Sequence, residues 1–566
     1  MGKLAPALAL ALFLAIVSNC QAGATTIQSC DSLIYCQGQL LDTVQKARIY
    51  KDSKTFVDMM QLNDPSVTLE NFRNFMESHN NAPTSQQVAE FVQQNFASTG
   101  ELDNWTPSDF TTTPKFLRKI KDVTVRDFAR QLVSIWPTLS RKVNSSVARN
   151  PSRHSLIPLP NGFVVPGGRF KEIYYWDSYW IVKGLLISEM SQTVRGVLEN
   201  FLSLVERYGF VPNGSRVYYL NRSQPPLLSL MVGLYIDETN DLKWLKRHIR
   251  TLEEELEWWL SNRTIVVKKD GVEHRLAHYA CESGTPRPES YAEDLRTCES
   301  HADKETCYKN LKSGAESGWD FSSRWFFAPD GAISPNLTLI DTKRAIPVEL
   351  NSYLCKAFRE LSHFHKLLED EVNAFKWLQR HETWKRSIEA VFYNETDGIW
   401  YDFDSLQQQH RRGFYPSNLA PLWAEAYDAL QKDSLGRRAA EYLRSNDITS
   451  FQGGIPTSLL HSGEQWDLPN AWPPLQEIVI LGLQRTGNAD AGDLARIFAE
   501  RSVNAFVTGY TKHREMFEKY DALHVGEFGG GGEYVVQSGF GWSNGVALSL
   551  IDAFYTSNAK KNVRAR

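Results

Sequence analysis

VELNSYLCKAFRELSHFHKL (residues 348–367) and, one residue later, EDEVNAFKWLQRHETWKRSIEAVF (residues 369–392) set the pattern of the chain. In each stretch apolar residues recur at three- and four-residue spacing, Leu350, Leu354, Phe358 and Leu361 in the first and Trp377, Trp384, Ile388 and Val391 in the second. That period is the signature of amphipathic α-helices that bury one face. An aromatic loop through Trp400 follows the pair. The same texture runs from residue 151 to 556: helical patterns over residues 180–190, 193–208, 242–261, 421–427, 435–445, 476–485, 491–510 and 545–555, separated by loops rich in Gly, Pro and Trp. Helices pair, and a loop follows each pair. Few segments alternate as half-buried strands do, Val217-Tyr218-Tyr219 being one short extended candidate. The expected class is all-α; paired helices suit an α/α barrel whose loops gather at one mouth, with an open helical array as the alternative.

Upstream, residues 25–150 form an amino-terminal helical extension packed on the barrel, with helical periodicity over 37–47, 85–97 and 123–139 and Thr84 as an N-cap. Lys3 and the apolar run 4–17 read as a secretory signal over residues 1–24, cleaved near Ala22–Ala24. The run is short for a membrane span, and the tail 557–566 is polar and basic. A secreted, soluble protein is expected. Six cysteines remain after the signal, and Cys30–Cys36 and Cys298–Cys307 are the most local pairings among 15 connectivities. Sequons lie at Asn104, Asn144, Asn213, Asn221, Asn262, Asn336 and Asn394. A net charge of -4 favours neither nucleic acid nor an anionic membrane as partner. The histidines show no metal-ligand grouping; His363 and His365 read as surface or core, and Glu253-Glu254-Glu255 as a solvated helix face.

Six loops carry side chains suited to chemistry. Residues 314–325, Gly-Ala-Glu-Ser-Gly-Trp-Asp-Phe-Ser-Ser-Arg-Trp, set Asp320 between Trp319 and Phe321, with two glycines to break a helix. A carboxyl held against aromatic rings is poorly solvated as an anion, so it keeps its proton toward neutral pH. Glu316 is the rival carboxylate there, and the plain alternative is a turn with core aromatics and a surface Asp–Arg pair. Residues 166–179 bring Arg169, Trp176 and Asp177 behind Gly167-Gly168, without the Gly-Lys-Ser/Thr ending of a phosphate loop. Residues 210–226 hold Asn213, Arg222, Ser223 and Gln224; residues 282–291 present Arg287 between prolines. Residues 465–474, Gln-Trp-Asp-Leu-Pro-Asn-Ala-Trp-Pro-Pro, are an aromatic loop or a packed corner. The last pair of segments is Glu518-Lys519-Tyr520-Asp521 and the glycine run ending in Glu533-Tyr534.

The 166–179 and 465–474 loops, together with the glycine run before Glu533, resemble the diagnostic patterns of the trehalases, glycoside hydrolase family 37. The resemblance covers about residues 153–555 without a departure at a site position, and the amino-terminal helices are similar to those of secreted animal trehalases. It implies an (α/α)6 barrel that hydrolyses α,α-trehalose to two glucoses with inversion, with no metal and no organic cofactor; a monomer is expected. It further implies Asp320 as general acid and Glu518 as general base. Sugar contacts carried over are Arg169, Trp176, Asp177, Asn213, Arg222, Ser223, Gln224, Arg287, Pro288, Glu289, Gly318 and Glu533. Arg169, Arg222 and Arg287 are expected as cations near the acid–base pair. A cation approaching Glu518 would keep it ionised. A glycan on Asn213 would block such a pocket, so Asn213 is expected to be unmodified. The competing readings are another glucosidase or lyase on the same barrel, and a sugar-binding protein without turnover.

Overall fold

The structure, a computed structural model, describes residues 30–98 and 100–556; the signal segment with Cys20, Ala22 and Ala24, and the basic tail, lie outside these. Six helices form an inner ring: Asp177–Ile187, Leu228–Thr239, Val348–Leu367, Ala420–Ala424, Pro473–Arg485 and Gly541–Tyr555. Each packs on the next, and the last packs on the first. Ser191–Tyr208, Leu242–Asn262, Glu371–Phe392, Lys432–Ser445 and Ala489–His513 alternate with them outside. The sixth outer helix, Val123–Val133, comes from upstream of residue 151 and lies on Gly541–Tyr555. Its Val125, Phe128, Ala129, Leu132 and Val133 belong to the same core as the ring. The fold is an (α/α)6 barrel.

The two rings differ because their helices meet different surroundings. Outer helices such as Ser191–Tyr208 bury one stripe (Val194, Val197, Leu198, Phe201, Leu202, Val205) and show solvent the other. Leu228–Thr239 and Gly541–Tyr555 are buried nearly all round. Such a helix has no polar stripe, and Leu228–Thr239 accordingly gives no amphipathic signal in the sequence. The first and last inner helices approach backbone to backbone at Gly545, where an added Cβ would stand 2.0 Å from the carbonyl oxygen of Trp180. Gly545→Ala is therefore expected to destabilise by at least the ~1–3 kcal/mol typical of overpacking. Gly492→Ala, on an outer helix with nothing within 4 Å of the new Cβ, is expected to be neutral or stabilising by up to ~1 kcal/mol. The calorimetric unfolding transition should fall for Gly545→Ala and stay level or rise for Gly492→Ala, and an unchanged transition for Gly545→Ala would contradict this packing.

Several expectations need correction. Val217–Tyr219 is a 3₁₀ turn, not extended. Residues 123–139 break into Val123–Val133 and Trp136–Leu139, with Pro137 in the first turn of the second, where its missing N–H costs nothing. The 421–427 helix stops at Ala424, and Glu425 turns the chain at φ 54°. Lys304–Glu316 is helical through Gly314; the break comes at Gly318, with φ 77°. Glu253 and Glu255 are buried rather than solvated: Glu253 accepts from Trp377 Nε1 at 2.8 Å and Glu255 from the Tyr175 hydroxyl at 2.6 Å. The histidine expectation holds, His365 being core and His363 surface.

Residues 34–96 form a second, smaller core that includes Tyr174, Tyr218 and Tyr219 of the barrel loops. Thr84 caps Ser85–Asn95 in a reciprocal capping box with Gln87. Cys30–Cys36 and Cys298–Cys307 are disulfide-bonded, while Cys281 and Cys355 are buried thiols. No helix among the described residues is long and apolar enough to cross a membrane.

Candidate active site

In an alternating ring the inner helices run in one direction, so every outer-to-inner connection opens at the same end. The chemistry-bearing loops are those connections: Trp176 precedes the first inner helix, Gln224 the second, Arg287 and Asp320 the third, Trp466 and Trp472 the fifth, and Glu518 and Glu533 the sixth. They line one common cavity. Arg169, Trp176, Asp177, Asn213, Arg222, Gln224, Arg287, Glu289, Gly318, Asp320, Glu518 and Glu533 all line it. Ser223 and Pro288 do not: the Ser223 N–H donates to Glu316 Oε1 at 2.9 Å, and the Pro288 carbonyl accepts from Gln45. Both hold the wall from behind.

Arginines sort the carboxylates. Glu316 is buried in a bidentate pair with Arg263 (2.8 and 2.9 Å), which removes it as a rival to Asp320. Arg324 does not pair with Asp320 at the surface; it is buried against Asp402 and Glu349. Asp320 keeps 31% of its side chain exposed, toward the cavity, with Arg287 Nη1 at 3.9 Å from Oδ2. Burial on its other sides raises its pKa to about 7, Arg287 opposing and Glu533 adding to the rise. Glu289 is held below the usual range: burial pushes it up, and Arg222 and Arg287 overcome that. Burial, with Glu518 and Asp320 nearby, raises the Asp177 carboxyl well above its ordinary value.

Glu518 is 2% exposed. The Tyr534 hydroxyl donates to its Oε1 at 2.8 Å, and Lys519 Nζ stands 3.8 Å from Oε2. A cation does approach, yet the pKa still moves upward because burial outweighs Lys519 and Tyr534. Arg169, bound by Asp52 of the amino-terminal segment at 2.6 and 2.7 Å, lies over the Tyr534 ring. Arg222 donates to Asn213 Oδ1 (2.9 Å) and Glu289 Oε1 (2.6 Å); Arg287 is clamped by Asp294 and reaches Glu533 at 2.6 Å. Asn213 is 4% exposed with its amide oxygen engaged, a poor position for a glycan. Arg222 Nη1, Glu289 Oε2 and Glu518 Oε2 are buried without a protein hydrogen-bond partner, which suits them to ligand hydroxyls.

The floor is aromatic. Trp466 and Trp472 stack at 3.8 Å with an interplanar angle of 1°, and Trp176 and Trp542 meet Trp466 at 5.7 and 6.4 Å. These tryptophans are packed corner and cavity wall at once. Gly318 must be glycine: besides its positive φ, a Cβ there would lie 2.7 Å from the Trp176 ring. Such apolar faces with convergent charged edges fit a sugar, which has C–H faces and a hydroxyl rim.

A trehalase family model matches residues 48–555. The chain belongs to the trehalase family. A trehalase of Tenebrio molitor is 54% identical over 540 residues, covering 95% of this chain and 97% of that one. A human trehalase is 44% identical, covering 94% and 91%. A neutral trehalase of Saccharomyces cerevisiae superposes with a TM-score of 0.55 at 21% identity, over 71% of this chain and 75% of that one, a likeness of fold. As a family member the chain is a glycosidase. Trp542 on the cavity wall, the Tyr534 contact with Glu518, Asp52, Asp294 and the Lys519 contact with Gln465 escaped sequence reasoning. Tyr534 had a signal, its place directly after Glu533. Asp52 and Asp294 had none, because their arginine partners are fixed only by the fold.

Proposed function

We propose that the chain hydrolyses α,α-trehalose to two glucoses with inversion at one anomeric carbon, Asp320 serving as general acid and Glu518 as general base. The observation that carries the reading is two carboxyls from segments almost 200 residues apart lining one cavity, one of them with a pKa raised to about 7. Trehalose joins two anomeric carbons and has no activated leaving group. Asp320 gives its proton to the bridging oxygen as the C–O bond breaks. Glu518 takes a proton from water as the new C–O bond forms on the opposite face of the ring. A carboxylate whose pKa lies above its ordinary value is the stronger base once ionised. Both protons then exchange with solvent, resetting the pair. Inverting carboxyl pairs stand roughly 6.5–9.5 Å apart to admit the water.

Arg222, Glu289 and Asp177 supply polar groups for hydroxyls, and the aromatic wall borders the ring. Neither acid nor base step calls for a metal or organic cofactor. Secretion is part of the same reading, supported by two disulfides outside the barrel's centre. Proton NMR during early hydrolysis tests inversion: one β-glucose and one α-glucose should appear per trehalose, the β signal decaying later by mutarotation. Production of the α anomer alone would overturn it.

A further inference from the structure

Lys519 is fully buried beside Glu518, and one side chain holds it. Its Nζ donates to Gln465 Oε1 at 2.6 Å, and the rings of Trp472 and Tyr534 stand 5.0 and 5.5 Å from it. The other end of the same amide, Gln465 Nε2, donates to the backbone carbonyl of Asp320 at 2.6 Å. Gln465 itself is 1% exposed, and its own carbonyl accepts from Trp472 Nε1 at 2.8 Å. The amide has one possible orientation, since an ammonium only donates and a carbonyl only accepts. It is thus the bridge between the loop of Asp320 and the loop of Glu518.

The bridge fixes a distance. At 3.8 Å the ammonium is too far from Glu518 Oε2 to hydrogen-bond it, and Oε2 has no other protein partner. A cation at that range favours the ionised carboxylate through its charge. A cation 1 Å closer would do so more strongly, but would also occupy the oxygen that must accept a proton from water. We propose that Gln465 is a positioning residue that holds the Lys519 ammonium near, but not on, the outer oxygen of Glu518, so that the base is charged and its proton-accepting lone pair stays free. The groups that face Glu518 are Lys519, Tyr534, Arg169 and Asp177; Gln465 holds Lys519 at 2.6 Å and reaches the Tyr534 hydroxyl at 3.5 Å. The proposal rests on Glu518 being the base.

The test is the pH dependence of kcat/KM, whose acidic limb follows ionisation of the base, in two variants that push it oppositely. Gln465→Leu releases Lys519 to pair directly with Glu518: the acidic limb should move down by about 1 pH unit, while kcat falls on the order of 10-fold and KM changes little. Gln465→Glu gives Lys519 a new anionic partner and neutralises its charge: the acidic limb should move up by about 1 unit. A purely structural role would lower activity in both without moving the limb. Unmoved limbs, or limbs moving in the same direction, would overturn the proposal. Should Gln465→Leu fail to fold, Gln465→Met removes both amide hydrogen bonds at similar length and carries the same expectation. Full activity in Glu518→Gln would instead remove the base assignment; an inactive Glu518→Gln with unmoved Gln465 limbs would leave that assignment standing and the positioning role lost.

Discussion

Asp320→Asn is expected to lower kcat on trehalose by about 10²–10⁴-fold with an unchanged unfolding transition. The departing glucose leaves as an alkoxide unless its oxygen is protonated, and asparagine has no proton of the required acidity. The loss should depend on the leaving group. An α-glucosyl fluoride releases fluoride without a proton, so Asp320→Asn should be far less impaired on it than on trehalose. Equal losses on both substrates would deny Asp320 the acid role. In the parent enzyme the acid must be protonated to act, so kcat/KM should fall as pH rises through about 7, the value to which burial lifts Asp320. Asp320→Asn should lose that alkaline limb.

Glu518→Gln is expected to cost a similar ~10²–10⁴-fold, in a different pattern. Water must be deprotonated whatever group departs, so the loss should be as large on the fluoride as on trehalose. The acidic limb should vanish while the alkaline limb remains. The substitution keeps the length of the side chain and can still meet Tyr534, so KM should change little. A variant that regained activity on the fluoride alone would assign Glu518 to the leaving group and reverse the two roles. The two carboxyls are thus separable by substrate and by limb.

Much of this site was legible because its chemistry is written in contiguous loops. Trp176-Asp177, Arg222-Ser223-Gln224, the Asp320 stretch, Gln465 to Pro474 and Glu533 each stand beside turn-forming residues, and all reach the cavity wall or its immediate backing. What sequence adjacency could not give is the partner of each charge. Glu316 and Asp320 lie four residues apart beside the same aromatics, yet one is neutralised by Arg263 and the other faces the cavity with Arg287 at a distance. Arg324 reads as a partner for Asp320 and instead serves Asp402 and Glu349. Coulomb forces act through space, and a buried ion pair forms wherever the fold brings opposite charges together.

The sequence by itself determined the helical class, the positions of most helices of both rings and the loops that hold the carboxyls, since these follow from local periodicity and turn chemistry. The tertiary structure alone decided which helices are inner, because an apolar stripe marks Val348–Leu367 inside as it marks Ser191–Tyr208 outside, and Leu228–Thr239, buried on nearly every side, carries none. It also decided that Val123–Val133 closes the outer ring, and which carboxyl keeps a proton. Burial and charge pairing are properties of the assembled neighbourhood, and both are zero for an isolated segment in water.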